Sequence, residues 1–386
     1  ISGGGTFTNV TVENNSAGDN GGGISGGGTF TDVTALNNSA GKGGGIYGRY
    51  STFTNVTVEN NSANQGGGIY GGGTFTDVNV LNNSTDFRGG GIYIRSASTL
   101  TRVDIRENES QTGDGGGLFS GGVNGGYDVD LTEVMFVDNT AGNGSGDSGG
   151  GVYIQNATLR AVNVQFIGNE APGRGGGLFL IDVDGSLTNT TFSGNRTGFS
   201  QSRENNGGGL YLGSRLSNSS PTIVNSVFSA NSASDEGGAI YTEGTNNFPF
   251  IYNSVLWGNT SSSSGNQQQV FVVSGQPLFQ NSLIEDGVPD GGFGVGQTNL
   301  SSDPLFVNAS GPDNTPGTDD DNLRLDPGSP AVDAGDNTEL PQDVLDIDGN
   351  GDTSEELPLD LAGEVRRQDV NGGGFVVDMG AYEATG

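Results

Sequence analysis

Val58-Glu59-Asn60-Asn61-Ser62-Ala63, followed two residues later by Gly66-Gly67-Gly68-Ile69-Tyr70, is one copy of a unit that this chain repeats. An apolar residue, two variable positions, an Asn and a small or polar pair recur ten times between residues 7 and 261. The Asn positions are Asn15, Asn38, Asn61, Asn83, Asn108, Asn139, Asn169, Asn195, Asn231 and Asn259, spaced 22 to 36 residues apart. The third residue before each is Val12, Ala35, Val58, Val80, Ile105, Phe136, Phe166, Phe192, Phe228 or Leu256, apolar in every copy. A second apolar series trails the glycines: Ile24, Ile46, Ile69, Ile92, Leu118, Val152, Leu178, Leu210 and Ile240. This period predicts a solenoid, because one repeat cannot bury its own apolar face and stacking must supply the core.

No segment sustains a 3.6-residue period long enough for a helix, and the Gly, Asn, Thr and Val content favours strands and turns. In the first copy Phe7, Val10 and Val12 point inward, and the break of alternation between Phe7 and Val10 predicts a corner. The Ile46-Tyr47 type of couplet predicts a third strand. Three short strands per copy describe one turn of a β-helix, each strand pairing with its equivalent about 4.8 Å away. The recurring Asn suits a corner, since Asn tolerates the left-handed backbone and its amide can bond the same amide one coil on. The glycine runs imply positive φ and close backbone approach. A phosphate-cradling loop would need a helix after the glycines, and a strand follows instead.

The units Asn60-Asn61-Ser62-Ala63 through Ile69-Tyr70, and Asn231-Ser232-Ala233 through Gly237-Gly238-Ala239-Ile240-Tyr241, resemble repeats of right-handed parallel β-helix proteins of the polymorphic outer-membrane-protein type. Asp303-Pro304-Leu305-Phe306, Pro327-Gly328-Ser329-Pro330-Ala331-Val332-Asp333-Ala334-Gly335, Asp360-Leu361-Ala362-Gly363 with Arg366, and Asp378-Met379-Gly380-Ala381-Tyr382-Glu383 resemble the C-terminal part of secreted bacterial β-helix proteins that carry a variable sorting anchor. The resemblance implies a right-handed, single-stranded, three-sheet parallel β-helix and an extracellular or cell-surface location. It is poor for activity, because such folds host lyases, hydrolases, adhesins and passive fibres alike. The expected architecture is all-β, with about ten or more coils over residues 1–300, the last of them irregular at 250–300, and an irregular, proline-punctuated C-terminal cap over 301–386. Seven of the 12 prolines follow residue 300, and residues 311–386 hold 19 acidic residues against 3 arginines.

With Lys+Arg 14 against Asp+Glu 45, the formal net charge is −31. A nucleic-acid binder needs a basic stripe that this chain lacks, and polyanions and anionic membrane surfaces are disfavoured by the same sign. No segment is apolar and long enough to span a bilayer. Cysteine is absent, so no disulfide contributes. The chain opens at Ile1 inside a repeat, as a processed or partial product would.

Three surface features are candidates for function. Tyr47, Tyr70, Tyr93, Phe119, Tyr153, Phe179, Tyr211 and Tyr241 each follow an inward aliphatic residue, so period-two geometry places them on one outer face, a floor to which sugar rings could dock. The alternative is an aromatic row that stacks on itself or packs beneath loops. The pairs Thr6/Thr8, Thr29/Thr31, Thr52/Thr54 and Thr74/Thr76 predict two outward rows, lost by Leu100 and Leu131. They resemble ice-binding faces, although β-propensity alone explains outward Thr. Asp346-Ile347-Asp348-Gly349-Asn350-Gly351-Asp352 offers alternating oxygen donors, with Asp346, Asp348, Asn350 and Asp352 as a structural Ca²⁺ set, or else a solvated acidic loop. Excursions near 120–130, 142–148, 198–206 and 213–221 interrupt the repeats, where binding loops tend to lie.

Histidine and cysteine are both absent, which removes Ser–His–Asp, Cys–His and His-ligated zinc chemistry. A polysaccharide lyase or hydrolase would need convergent carboxylates. Asp104, Asp128, Asp130, Asp138, Asp182 and Asp184, with Arg102, Arg106, Arg160 and Arg174, form no recurring cluster. No catalytic residue is assigned. Sequons at Asn9, Asn55, Asn156, Asn189, Asn195, Asn218, Asn299 and Asn308 follow from the Asn- and Thr-rich composition and would permit glycosylation. The expected function is structural or adhesive, with extracellular glycans as ligand and head-to-tail self-assembly as a filament route; a polysaccharide-active enzyme and an ice-binding protein are the alternatives.

Overall fold

Alternation inside each repeat decides which side chains meet, and the register carries that choice from coil to coil. The computed structural model describes residues 1–386 except 123–124, 145, 199–203, 216–218, 295–297, 371, 373 and 386. The chain forms two compact units. One comprises Ile1–Thr158, Gly168–Ile181 and Arg196–Asn205; the other comprises Leu159–Ile167, Asp182–Asn195 and Asn206–Gly386. Both are parallel β-solenoids.

In the first unit the strands Gly5–Glu13, Gly28–Leu36, Ile46–Glu59, Ile69–Leu81, Ser98–Arg106 and Val129–Val137 pair in parallel. Phe7, Phe30, Phe53 and Phe75 are in register, their rings stacked at 4.5 to 5.0 Å. From Phe30 onward these rings are fully buried. The Val10 and Val12 positions form two further inward columns. The predicted corner between Phe7 and Val10 lies at Asn9 (φ 54°) and recurs at Asp32, Asn55 and Asp77. The chain turns there within a hydrogen-bonded strand, so two of the expected strands are one kinked strand.

The three-strand reading also misses an element. Ser39–Lys42, Ser62–Gln65, Ser84–Arg88 and Glu109–Ser110 form a four-stranded parallel sheet just after the ladder asparagines. The side-chain amides of Asn15, Asn38, Asn61, Asn83, Asn108, Asn139 and Asn169 bond consecutively, Nδ2 to Oδ1, at 2.9 to 3.1 Å. In the second unit Asn195, Asn231 and Asn259 do the same at 2.8 Å. The left-handed residue is the one before the ladder: Asn14, Asn37, Asn60 and Asn82 take φ of 52 to 56°. That turn aims the next side chain inward, where its amide replaces water for neighbouring backbone groups.

The glycine runs have the expected backbone. Gly66 sits at φ 61°, and a Cβ on Gly67 would lie 2.3 Å from the carbonyl oxygen of Ser84 and 2.4 Å from that of Gly90. Only hydrogen fits between coils so closely spaced.

The second unit repeats the pattern with shorter strands: Gln165–Ile167, Thr191–Ser193, Val227–Ser229, Val255–Trp257 and Leu283–Ile284 supply one face. Residues 250–284, where irregular coils were expected, hold parallel register with the preceding coil. Beyond 300 the strands thin to an antiparallel pair, Phe306–Asn308 with Asn322–Leu325. This region packs along the flank of the coils, with Leu323, Leu325, Ala331, Val332, Met379 and Ala381 against Val227, Val255 and Leu283.

The motifs that resemble secreted β-helix proteins make this packing. Arg366 and Glu383 are both buried and bond at 2.5 Å, and the Arg366 guanidinium also reaches Asn189 Oδ1 at 2.6 Å. The Asp360 carboxylate accepts from the backbone N–H groups of Ala362, Glu364 and Glu383, and the Asp378 carboxylate from those of Asp333 and Ala384. Asn189, Asn225 and Asn253, all left-handed corner residues, bond the backbone of Leu359, Asp378 and Asp336.

Candidate functional site

Among the described residues of the first unit, the outer aromatic position forms a continuous column. Tyr47, Tyr70, Tyr93, Phe119, Tyr153 and Phe179 follow one another with ring centroids 4.7 to 5.4 Å apart. In the second unit Tyr211 and Tyr241 stack at 5.3 Å, and Phe271, unnamed in the sequence reading, extends the column. The column is not an open floor along its length. Tyr70, Tyr93, Phe119, Phe179, Tyr211 and Tyr241 are buried, and Tyr47 and Tyr153 half-buried.

Long basic side chains supply part of the cover. Lys42 lies over Tyr70, Arg88 over Phe119, and the Arg95 guanidinium sits 5.7 Å from both Tyr70 and Tyr93 and 6.0 Å from Tyr127. These distances fall in the range of cation–π attraction. Burial pushes the Tyr93 hydroxyl above its ordinary pKa, against the pull of the nearby Arg95.

The stack is tilted at one place. Tyr70 and Tyr93 are inclined by 31°, and Tyr93 and Phe119 by 47°, where the other pairs lie within 18° of parallel. Beside the tilted pair lies a cavity of about 570 Å³, bordered by Arg88, Tyr93, Arg95, Phe119, Tyr127, Tyr153, Gln155 and the glycines 121, 122, 125 and 126. Gly121 keeps this space clear, since a Cβ there would stand 3.1 Å from Phe119 and 3.3 Å from Tyr153. The excursion after Phe119 turns back through Ser120, whose hydroxyl accepts from the Tyr127 N–H at 2.9 Å and donates to its carbonyl at 3.0 Å. Tyr127 is thereby held at the rim. Tyr153 donates to Gln155 Oε1 at 3.2 Å.

Of the eight aromatic residues named from sequence, Tyr93, Phe119 and Tyr153 border the cavity; Tyr47, Tyr70, Phe179, Tyr211 and Tyr241 do not. Arg88, Arg95, Tyr127 and Gln155 were missed. Alternation held the signal for two of them: Ile92 and Ile94 are buried while Tyr93 and Arg95 share the other face, and Tyr153 and Gln155 repeat the arrangement around Ile154. The excursions at 120–130 and 142–148 are described in part. Residues 199–203 and 216–218, and with them the Asn218 sequon, lie outside the described residues.

The threonine columns run one coil further than expected. Thr74 and Thr76 pair with Thr99 and Thr101, which flank Leu100, and the paired form ends at Leu131, where Asp130 replaces the first Thr. Thr6, Thr29, Thr52 and Thr74 are exposed.

In the acidic turn, carboxylate oxygens of Asp343, Asp346 and Asp348 approach within 4.8 Å of one another. This set shares only Asp346 and Asp348 with the four residues named from sequence. Asp352 instead accepts from Ser354, and Asn350 turns its amide to Asp348 and Glu355. Burial and the neighbouring carboxylates raise the Asp343 pKa. Three carboxylates fit part of a Ca²⁺ shell, whose six to eight oxygens would require backbone carbonyls or water as well.

The acidic residues weighed for catalysis are engaged elsewhere. Asp104 bonds Arg106 at 2.6 Å, while Arg102 pairs with Asp77. Asp128, Asp182 and Asp184 accept from the backbone N–H groups of Thr158, Arg215 and Ser220.

Comparison with known proteins agrees with the repeat geometry. Residues 55–72 and 225–243 match the Chlamydia polymorphic membrane protein (Chlamydia_PMP) repeat. No curated protein matches the chain. The matched segments lie one in each compact unit, and such repeats point to a surface or outer-membrane location. The chain is a parallel β-solenoid that carries repeats of the Chlamydia polymorphic membrane protein type in both of its units.

Proposed function

We propose that this chain is a surface β-solenoid that binds carbohydrate, with adhesion as its role, at the cavity beside Tyr93, Phe119 and Tyr153. The observation that carries this reading is the cavity beside the tilted rings of the column. Ring surface, a tyrosine on an anchored excursion and an amide side chain border one cavity. Its volume falls within the ordinary range for small-ligand sites. Apolar ring faces suit the C–H face of a pyranose, while Gln155 and the tyrosine hydroxyls suit its hydroxyl groups.

A glycan array probed with the wild-type chain and Tyr127→Ala tests the reading. Bound glycans are expected, with at least tenfold weaker binding by the variant and no release of reducing ends. Absence of glycan binding by the wild type, or equal binding by the variant, contradicts it.

A further inference from the structure

The charge around the cavity departs from that of the chain. Carboxylates outnumber cations 45 to 14 overall, yet the described residues bordering the cavity include two arginines and no Asp or Glu. Arg88 is partly neutralised by Asp114, 3.2 Å away. Arg95 is different. Its guanidinium lies among the rings of Tyr70, Tyr93 and Tyr127, and its buried Nε has no hydrogen-bond partner among the described residues. A buried cationic donor left without an acceptor costs free energy. Arg95 borders the cavity, so an anion bound there would meet its guanidinium charge beside these rings, where the low local dielectric would strengthen the attraction.

Resting on the carbohydrate reading, we propose that the cavity selects an acidic saccharide, its sugar ring against Tyr127 and Tyr153 and its carboxylate on Arg95. Arg88 adds positive potential from the neighbouring coil. Selection concerns a single carboxylated sugar unit seated in the cavity. A long polyanion would meet the net charge of −31 over the rest of the surface.

Isothermal titration at low salt with a glucuronosyl-galactose disaccharide, and with the same disaccharide as its uronic methyl ester, tests the selection on the native protein. The acid is expected to bind at least tenfold more tightly than the ester, with the difference shrinking as salt is added. Arg95→Gln is expected to bring the acid to the level of the ester. Equal binding of acid and ester, or tighter binding of the ester, overturns the proposal while leaving carbohydrate recognition standing. A preference for the acid that survives Arg95→Gln overturns the assignment to Arg95. Failure of both probes together with an empty glycan array removes the carbohydrate reading itself. If Arg95→Gln fails to fold, the acid–ester comparison on the wild type still decides the proposal.

Discussion

The side-chain amide of Asn61 donates to Oδ1 of Asn83 at 3.0 Å, and the Asn61 backbone N–H donates to the same oxygen at 2.9 Å. One Asn side chain thus satisfies two donors of the adjacent coil. Its own Nδ2 bonds Asn108 Oδ1 and the Val58 carbonyl.

Truncating such a residue strands several buried groups at once. Asn83→Ala is expected to destabilise the protein by about 2–5 kcal/mol, since each unsatisfied buried group costs ~1–3 kcal/mol. Asn64, exposed on the adjoining short strand, is the control: Asn64→Ala should stay within about 0.5 kcal/mol. Urea unfolding of both variants checks the contrast.

Glycines in the runs differ sharply from those outside them. Gly67→Ala would push a methyl group into two backbone carbonyls of the adjacent coil, and a loss of more than about 3 kcal/mol is expected. Gly18, with open space around its Cβ position and no positive φ, should accept Ala with a gain of about 0.4–1 kcal/mol from a stiffer unfolded chain. Thermal melts distinguish the two.

Asp114 links stability to pH. Burial pushes its carboxyl from 3.8 up to about 6, against the pull of Arg88 and the Ser148 N–H. A pKa raised on folding means that stability is fully present below pH 3.8 and lost as pH rises through about 6. At 1.36 kcal/mol per unit the difference approaches about 3 kcal/mol as an upper figure. Asp114→Asn is therefore expected to gain on the wild type between pH 4 and pH 8, as read by unfolding curves at both pH values.

A buried Arg366–Glu383 pair helps to hold the flank formed by residues beyond 300. Arg366→Met leaves Glu383 and Asn189 Oδ1 without their buried partner, and a loss of about 3–5 kcal/mol is expected. Limited proteolysis should then cut within residues 340–386 sooner than in the wild type. Unchanged cleavage would show that the hydrophobic contacts alone hold this segment.

How far sequence reading reached depends on periodicity. Columns that recur in every copy, such as Asn38 to Asn61 and Phe30 to Phe53, were legible because stacking requires equivalence at each coil. The placement of the left-handed residue was off by one: Asn60 and Asn61 are the same residue type, and only the backbone separates the corner from the ladder. The second asparagine column, Asn189, Asn225 and Asn253, was not legible apart from the Asn189 sequon, because its partners lie more than 80 residues away in the C-terminal region. The cavity was only half legible. Tyr93, Phe119 and Tyr153 repeat, whereas Tyr127 sits in an excursion found in one coil, where no period reveals its position.

The asparagine ladder and the aromatic column both follow from the stacking of equivalent residues. The absence of cysteine allows a direct test by engineered cross-linking. Thr52 and Thr74 are exposed register partners on adjacent strands, and Thr99 lies one coil beyond Thr74. Strand spacing of about 4.8 Å suits a disulfide, and twice that distance does not. Under mild oxidation of the monomeric protein, Thr52→Cys/Thr74→Cys is expected to form an intramolecular disulfide, detected by mass spectrometry, and Thr52→Cys/Thr99→Cys to remain reduced. Failure of the first pair, or equal cross-linking of both, would contradict the stacked register.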